Sequence, residues 1–385
     1  MGTIGVSGRE VRVAGPTPGV NRDPRIRWSR DLLTAVFSAW LITGVFLDAW
    51  AHTTRPSLET FFTPWHAVLY SGFLATAGWV TGIVWRAPRR IGSRTRVLPA
   101  GYGLAGWGVA VFAAAGVGDL LWHLAFGIER GLGASLSPTH LALFVGMLLI
   151  VTAPFRSAWA RAGEVPSAWG PLLPAAISLA LAGILTAFAL QPFHPFAHNF
   201  VSRRLATLIL ERSGGSPVAV ARNVQTGLAG FMVATLCLFG PVLLLVRRWR
   251  PPLGMITSML TVQCLLLQGS GGFRQPMLAG LGGLGGLAVE VLARGLRPEA
   301  GCRWRPLLFS GLAPPLFWGI YLAGIAIRDQ GLGWGPELWS GTLIWTGLIL
   351  VAVTLAMSVD GNHARSGRAA EERGAVLAPA APPHG

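Results

Sequence analysis

The sequence contains no lysine, so all 31 of its basic residues are arginine. Charged residues of both signs make up only 12% of the 385 residues. Without lysine the chain cannot form the phosphate-binding loop of nucleotide hydrolases, which needs one. The net charge of +15 comes mostly from arginines in short segments between apolar stretches. This distribution is typical of a membrane topology signal, and we expect no nucleic-acid partner.

Cysteine is also scarce. The three cysteines, Cys237, Cys264 and Cys302, have no paired spacing. The sequence therefore indicates neither a disulfide framework nor a thiolate metal site. None of the seven methionines neighbours the histidines discussed below, which argues against a Cu(I) trafficking path built from soft sulfur ligands.

Apolar residues make up 52% of the chain and form long uncharged runs. A run of about 20 such residues is long enough to span a bilayer as a helix. The sequence therefore predicts an all-α, polytopic integral membrane protein that contacts the lipid bilayer. About ten transmembrane helices are predicted, at about 31–51, 64–85, 101–126, 138–155, 170–191, 225–246, 252–269, 276–293, 306–327 and 338–358.

This pattern divides the chain into four regions. Residues 1–30 are rich in glycine, proline and arginine and are predicted to be a disordered cytoplasmic arm. Residues 31–155 are predicted to form a four-helix metal-binding membrane core, and residues 156–358 six further transmembrane helices. Residues 359–385 are predicted to be a disordered cytoplasmic tail.

The arginines also predict an orientation. If the N-terminus is cytoplasmic, 23 of the 31 arginines fall on the cytoplasmic side. The positive-inside rule then predicts a multi-pass plasma-membrane protein with both termini inside. An alternative for the first helix is a signal peptide ending at Ala49-Trp50-Ala51, which has the small-x-small pattern of a cleavage site. Cleavage there would separate Asp48 from His52.

Carboxylate and imidazole side chains meet at the junction of the first two predicted helices. Asp48 and His52 are four residues apart, so they lie on one face of a helix and can address one ion. Thr63 is placed to cap the next helix and Pro64 to occupy its first position. His66 then falls in the first turn of that helix, close to the end of the preceding one.

The same layout recurs in the third and fourth predicted helices. Asp119 and His123 repeat the D-x-x-x-H spacing, and Ser137, Pro138 and His140 repeat the cap, the proline and the histidine. The sequence therefore predicts two copies of one site, with the ligands Asp48, His52 and His66 in the first and Asp119, His123 and His140 in the second.

One carboxylate and two imidazoles with open coordination positions suit copper, iron or zinc. In the predicted orientation both sites lie toward the extracytoplasmic side. A single polar residue at a helix end is usually interfacial, but six matched polar residues are costly in a membrane protein. Glu59 and Glu129 are candidates to orient an imidazole of the first and the second site. His194 and His198 are further, weaker candidates in the long outer loop at about 192–224.

The first motif resembles the copper-site motif in the C subunit of particulate methane and ammonia monooxygenases. The resemblance rests on Asp48, His52, the segment ETFFTPWH at 59–66 and Tyr70, and it covers roughly residues 31–155. It implies that Asp48, His52 and His66 bind copper in the membrane. The last six predicted helices carry no motif of this family.

The family also has a second, similar site on later helices, which by resemblance Asp119, His123 and His140 would form. This chain has Asp119 where the family usually has asparagine. Its interval from His123 to His140 is three residues longer than that from His52 to His66. The metal content of the second site is therefore a separate question from that of the first.

The resemblance implies a copper-dependent monooxygenase subunit that oxidises a small apolar or ammonia-like substrate with dioxygen. The enzymes of this family need two further subunits, so the resemblance also implies partner membrane subunits; a homo-oligomer is the other form of assembly considered. The residues alone are also compatible with two other classes of function. One is a membrane protein for metal transport, storage or insertion, and the other is a protein whose polar clusters are structural.

Overall fold

The computed structural model describes residues 23–55, 63–89, 96–127, 132–298 and 304–377. These residues form α-helices and one short 3-10 turn, at Gln191–Phe193, and none of them forms a β-strand. The helices are α1 (Pro24–Thr54), α2 (Pro64–Arg86), α3 (Tyr102–Phe126), α4 (Leu132–Leu136), α5 (Pro138–Val151), α6 (Ala153–Ala160), α7 (Trp169–Ala189), α8 (Arg203–Arg212), α9 (Pro217–Arg248), α10 (Met255–Ser270), α11 (Pro276–Leu296), α12 (Trp304–Asp329) and α13 (Pro336–Leu377).

The architecture is that of a multi-pass membrane protein. Within the described ranges, nine helical segments are long and apolar enough to cross a membrane, with α5 and α6 together counting as one of them. Helix α10 is apolar but shorter. Each of the ten segments predicted from the sequence lies on one of these helices, which confirms the all-α fold class.

The ends of several helices differ from the prediction. Helix α1 begins at Pro24, so residues 24–30 are helical and do not belong to the predicted arm. The local reason is that Pro24 occupies the first turn and the Asp23 side chain accepts a 2.8 Å hydrogen bond from the Arg25 backbone N–H. At the other end of the chain, α13 continues to Leu377, into the predicted tail.

Glycines bring the first helices into close pairs. A Cβ atom at Gly44 of α1 would lie 2.5 Å from the backbone of Leu69 in α2. In the same way, a Cβ atom at Gly108 of α3 would lie 2.7 Å from the carbonyl oxygen of Gly146 in α5. Only glycine allows backbones to approach so closely. These contacts set the pairs α1/α2 and α3/α5, whose junctions carry the predicted ligands.

Helix α7 joins the first four spans to the remainder of the protein, since it packs against α1, α5, α9 and α10. Phe188 of α7 illustrates this position, because its ring lies 4.9 Å from that of Phe46 and 6.1 Å from that of Phe144. One continuous apolar core extends from α1 and α2 to α12 and α13. The two predicted halves of the membrane region therefore share a core.

Candidate metal centres

The first predicted ligand set comes together at the junction of α1 and α2. Oδ2 of Asp48 lies 3.7 Å from Nε2 of His52, and Oδ1 of Asp48 lies 3.3 Å from Nδ1 of His66. One potential ligand atom from each of the three side chains lies within 4.8 Å of the others. Helix α1 supplies the first two residues from its last two turns, and α2 supplies His66 from its first turn.

The second predicted set comes together at the junction of α3 and α5. Oδ2 of Asp119 lies 3.4 Å from Nε2 of His123, and Oδ1 of Asp119 lies 3.3 Å from Nε2 of His140. The three ligand atoms again lie within 4.8 Å of one another. Asp119 is only 3% exposed, so a buried carboxylate faces two imidazoles here as well.

Local capping produces both arrangements, as the sequence predicts. The hydroxyl of Thr63 accepts a hydrogen bond from the backbone N–H of His66 at 3.1 Å, and that of Ser137 accepts one from the N–H of His140 at 3.4 Å. Pro64 and Pro138 each follow the cap in the first turn. A cap followed by proline fixes where the helix starts, and this start places the histidine beside the preceding aspartate.

The separations fit a shared cation. Oxygen and nitrogen ligands at about 2.1 Å from one tetrahedral ion lie roughly 3.4 Å apart, close to the separations of 3.3 to 3.7 Å between the aspartate oxygens and the histidine nitrogens. Oδ1 of Asp48 is buried and accepts no hydrogen bond from any described residue, although His66 Nδ1 lies 3.3 Å away. A buried carboxylate oxygen without a hydrogen bond is costly unless another positive group, such as a metal ion, neutralises it.

The two centres are held differently. Nδ1 of His123 donates a 3.1 Å hydrogen bond to the carbonyl oxygen of Gly127, which directs Nε2 toward Asp119. The hydroxyl of Thr139 donates a 2.8 Å hydrogen bond to Oδ1 of Asp119. Such contacts orient ligands and tune their basicity. In the first centre the nearest described counterpart is the Thr63 hydroxyl, 3.1 Å from Nδ1 of His66.

Tyr70 connects the two centres. Its ring stacks on that of His66 with centroids 6.2 Å apart. Its hydroxyl lies against α3, only 3.6 Å from where a Cβ of Gly116 would be, and Gly116 is one turn from Asp119. The two ligand sets are therefore neighbours at one end of the first four spans.

Aromatic and cationic side chains surround the first centre. The rings of Trp50 and Trp65 lie 5.5 Å apart, and the guanidinium of Arg55 lies over both, at 5.7 and 5.3 Å. Tryptophan and arginine together are typical of the membrane–water boundary. The first candidate centre therefore has the kind of surroundings that are common at such a boundary.

The other predicted site residues are not brought to these centres by the described structure. Glu59 and Glu129 lie outside the described residues. His194 is buried in the turn after α7, where its Nδ1 accepts a 3.2 Å hydrogen bond from the Phe196 N–H, and burial lowers the pKa of His194 to about 3. His198 lies on the exposed side of the same turn. Within the described ranges neither belongs to a group of three possible metal ligands.

Sequence reasoning missed Thr139 and Gly127 as orienting groups. Thr139 directly precedes His140, so its position was visible, but the hydrogen bond depends on how α5 packs against α3. The carbonyl of Gly127 is a backbone group and carries no signal of its own. Gly127 nevertheless follows α3 with φ of +80°, a backbone conformation that favours glycine.

Comparisons with protein-family models, with curated proteins and with solved structures give no match to this chain. The likeness to the monooxygenase C subunit therefore rests on the motif residues and on their spacing.

Proposed function

We propose that the protein is an integral membrane copper protein with two adjacent copper centres, and that it acts as a monooxygenase-like redox subunit. The observation that carries the proposal is the repeated Asp/His/His geometry, in which each set places three ligand atoms within 4.8 Å. Two sets built by the same helix-end arrangement are unlike isolated interfacial polar residues. Their cost in a membrane is offset when each set binds a cation.

The donors are compatible with copper as the metal. Each centre offers two imidazole nitrogens and one carboxylate oxygen, which leaves coordination positions for a small ligand. Zinc and iron accept the same donors. Among the described cysteines, Cys237 and Cys264 are buried in α9 and α10, away from both centres, so a thiolate contributes to neither. Copper is preferred on the motif resemblance, and a bound copper ion would supply a one-electron redox couple.

The residues of the chain have distinct tasks in this proposal. The six ligand side chains hold the metal, and Thr139 and Gly127 orient Asp119 and His123. Insertion of one oxygen atom of dioxygen into a small substrate, with the other reduced to water, requires two electrons and two protons from an external donor. The tryptophan and arginine cluster beside the first centre is a position that such a donor could reach from the aqueous side.

Transport of metal across the membrane is the competing function, and the packing beneath the centres disfavours it. One turn below Tyr70 and Gly116, the rings of Phe73 and Phe112 stack with centroids 4.3 Å apart. Both rings belong to the continuous apolar core, together with Val45 of α1. A hydrated cation passing from the centres to the other face would have to cross this apolar layer without ligands.

The proposal places the centres at the extracytoplasmic face. With the N-terminus in the cytoplasm, 23 of the 31 arginines lie on the side opposite the centres, as the positive-inside rule expects. The substrate would then arrive from the membrane or from the outer compartment, and the same face would bind any partner subunit.

Titration of copper into metal-free protein, followed by electron paramagnetic resonance, tests the proposal. The expected result is two Cu(II) signals with nitrogen hyperfine structure from imidazole. Oxygen consumption with a chemical reductant and a set of small candidate substrates then tests the monooxygenase chemistry. Copper binding without substrate-dependent oxygen consumption would favour storage or insertion, and absence of specific copper binding would refute the proposal.

A further inference from the structure

A cavity of about 710 Å³ lies at the end of α1 opposite the metal centres. It is bounded by the first turns of α1, by α6 and the turn after it, and by the start of α7. Asp31, at the cavity, and Asp48, at the first centre, are 17 positions apart on α1, which corresponds to about 25 Å along a helix. The cavity is therefore remote from both centres, and its volume is in the range of small-molecule sites.

The walls of the cavity are mainly apolar. Ile26 and Trp28 of α1 face Ala158 of α6 and Pro174 and Ala175 of α7 across it. Ile26 is 49% exposed and Trp28 39% exposed, so both offer apolar surface that a further apolar group can cover. The walls therefore fit a hydrocarbon chain.

The polar rim carries arginines whose acidic neighbours are already engaged. Buried Asp31 accepts hydrogen bonds from Arg161 at 2.9 Å, from the Tyr102 hydroxyl at 2.8 Å and from the Ser157 hydroxyl at 2.8 Å. The second carboxylate on the rim, Glu164, forms a 3.1 Å ion pair with Arg27. Both carboxylates are therefore already paired with an arginine.

Arg25 completes the rim. Its side chain is exposed, it lines the cavity and it forms no ion pair with any described residue. The charged residues that line the cavity are Arg25, Arg161, Asp31 and Glu164. Arg27 and Arg30, beside the cavity, pair with the same two carboxylates, so Arg25 is left in excess. An excess positive charge at the mouth of an apolar cavity matches an anionic headgroup.

Two tryptophans indicate where the cavity lies relative to the membrane surface. The indole N–H of Trp28 donates a 2.8 Å hydrogen bond to the carbonyl oxygen of Gly170, and that of Trp169 donates one to Leu253 at 3.0 Å. Tryptophans with a polar contact of this kind mark the boundary between headgroups and acyl chains. The apolar walls would then extend from the boundary toward the chains.

We propose that this cavity binds one anionic phospholipid, with its phosphate at Arg25 and an acyl chain against Ile26, Trp28 and Pro174. The lipid would fasten the start of α1 to α6 and α7. The site is independent of the proposed copper chemistry, because none of its residues belongs to either metal centre.

Gly170 offers a variant that fills the cavity without a clash. It lines the cavity, and a Cβ added there would meet no atom within 4 Å. Gly170→Leu should therefore occupy the volume that the acyl chain needs. Gly163→Leu is the matched control, since a Cβ at Gly163 also meets no atom within 4 Å but this residue does not line the cavity.

Native mass spectrometry of the purified, delipidated full-length protein tests the proposal, with phosphatidylglycerol and phosphatidylcholine of identical chains as probes. We expect one phosphatidylglycerol to bind more tightly than phosphatidylcholine, and Gly170→Leu to weaken its binding by at least about tenfold, since the variant removes the volume for the chain. Arg25→Gln should reduce the preference for phosphatidylglycerol about fivefold, in line with one lost charge contact at a membrane surface. Gly163→Leu and Arg86→Gln should behave as wild type.

Three results would overturn the proposal. Equal binding of the two lipids to wild type would remove the anionic preference, and unchanged binding in Gly170→Leu would move the lipid elsewhere. Displacement of the bound species by inorganic phosphate alone would mean that the site recognises the phosphate group and not the lipid.

Discussion

Thr139 and Asp119 form a pair that the first metal centre lacks. The Thr139 hydroxyl donates a 2.8 Å hydrogen bond to the aspartate oxygen that also faces His140. In the first centre the residue before the histidine is Trp65, and the corresponding oxygen of Asp48 accepts no hydrogen bond from a described residue. The two centres repeat in sequence, but their carboxylates differ in hydrogen bonding.

Removal of this hydrogen bond should change the redox behaviour of the second centre. Thr139→Val leaves the Asp119 carboxylate richer in electrons, which stabilises the oxidised metal. We expect the reduction potential to fall by about 59 mV if the ratio of the two oxidation-state affinities changes tenfold. A redox titration followed by electron paramagnetic resonance measures this. Thr139→Ser should restore the wild-type potential, and an unchanged potential in Thr139→Val would show that the hydroxyl does not tune the centre.

Asp119→Asn should have the opposite effect on the potential. An amide lacks the negative charge that favours a divalent ion in a setting of low dielectric constant, so the variant should bind Cu(II) more weakly and have a raised reduction potential. The first centre should be nearly unchanged. Copper titration of the metal-free wild type and of the variant checks this. Identical affinities and spectra would mean that Asp119 is not a ligand.

His194 predicts a dependence of stability on pH. Its pKa in the folded protein is about 3, below the usual 6.5, because the ring is buried. The unfolded chain therefore takes up a proton below pH 6.5 that the folded protein refuses, and the stabilisation present above pH 6.5 is lost as the pH falls toward 3. The loss is at most about 1.4 kcal/mol per pH unit.

His194→Asn isolates this effect, since asparagine can still accept the hydrogen bond from the Phe196 N–H but does not titrate. Thermal unfolding in detergent should show a weaker pH dependence for His194→Asn than for wild type between pH 6.5 and 4.5. His198→Asn should also weaken the pH dependence, because burial lowers the pKa of His198 as well. Equal pH dependence in all three proteins would contradict the assignment of the buried ring.

The proposed membrane orientation predicts which introduced cysteines can be labelled from outside the cell. In a background with Cys302→Ser, Arg212→Cys at the end of α8 should react with a membrane-impermeant maleimide in intact cells. Arg86→Cys at the end of α2 should react only after permeabilisation. Both residues are exposed. The reverse pattern would place the metal centres in the cytoplasm and overturn the proposed topology.

Those parts of the fold and of the centres that depend on local signals were predictable from the sequence. Thr63 with Pro64 and Ser137 with Pro138 determine where two helices start, and the four-residue spacing places each aspartate beside a histidine on one face. These rules act within a few residues, so they hold before any tertiary contact is known. All six predicted ligands accordingly lie in two compact sets.

The remainder depends on helix packing, which a single sequence does not determine. The position of Tyr70 between the centres follows from the close approach of backbones at Gly44 and at Gly108, and the bond from Thr139 follows from the α3/α5 contact. The early start of α1 at Pro24 was missed because the arm is rich in proline and glycine, which conceals a local cap at Asp23. The cavity at Arg25 could not be predicted for the same reason.

The most direct test of the central claim is the copper content of four proteins purified from membranes. Wild type, His52→Ala, His123→Ala and the double variant should contain two, one, one and no copper equivalents. Their circular dichroism spectra should be unchanged, because apolar packing holds the helices together. His198→Ala, outside both centres, should keep two equivalents. Equal copper content in all of these proteins, or loss of the folded protein in the single variants, would contradict the two-centre account.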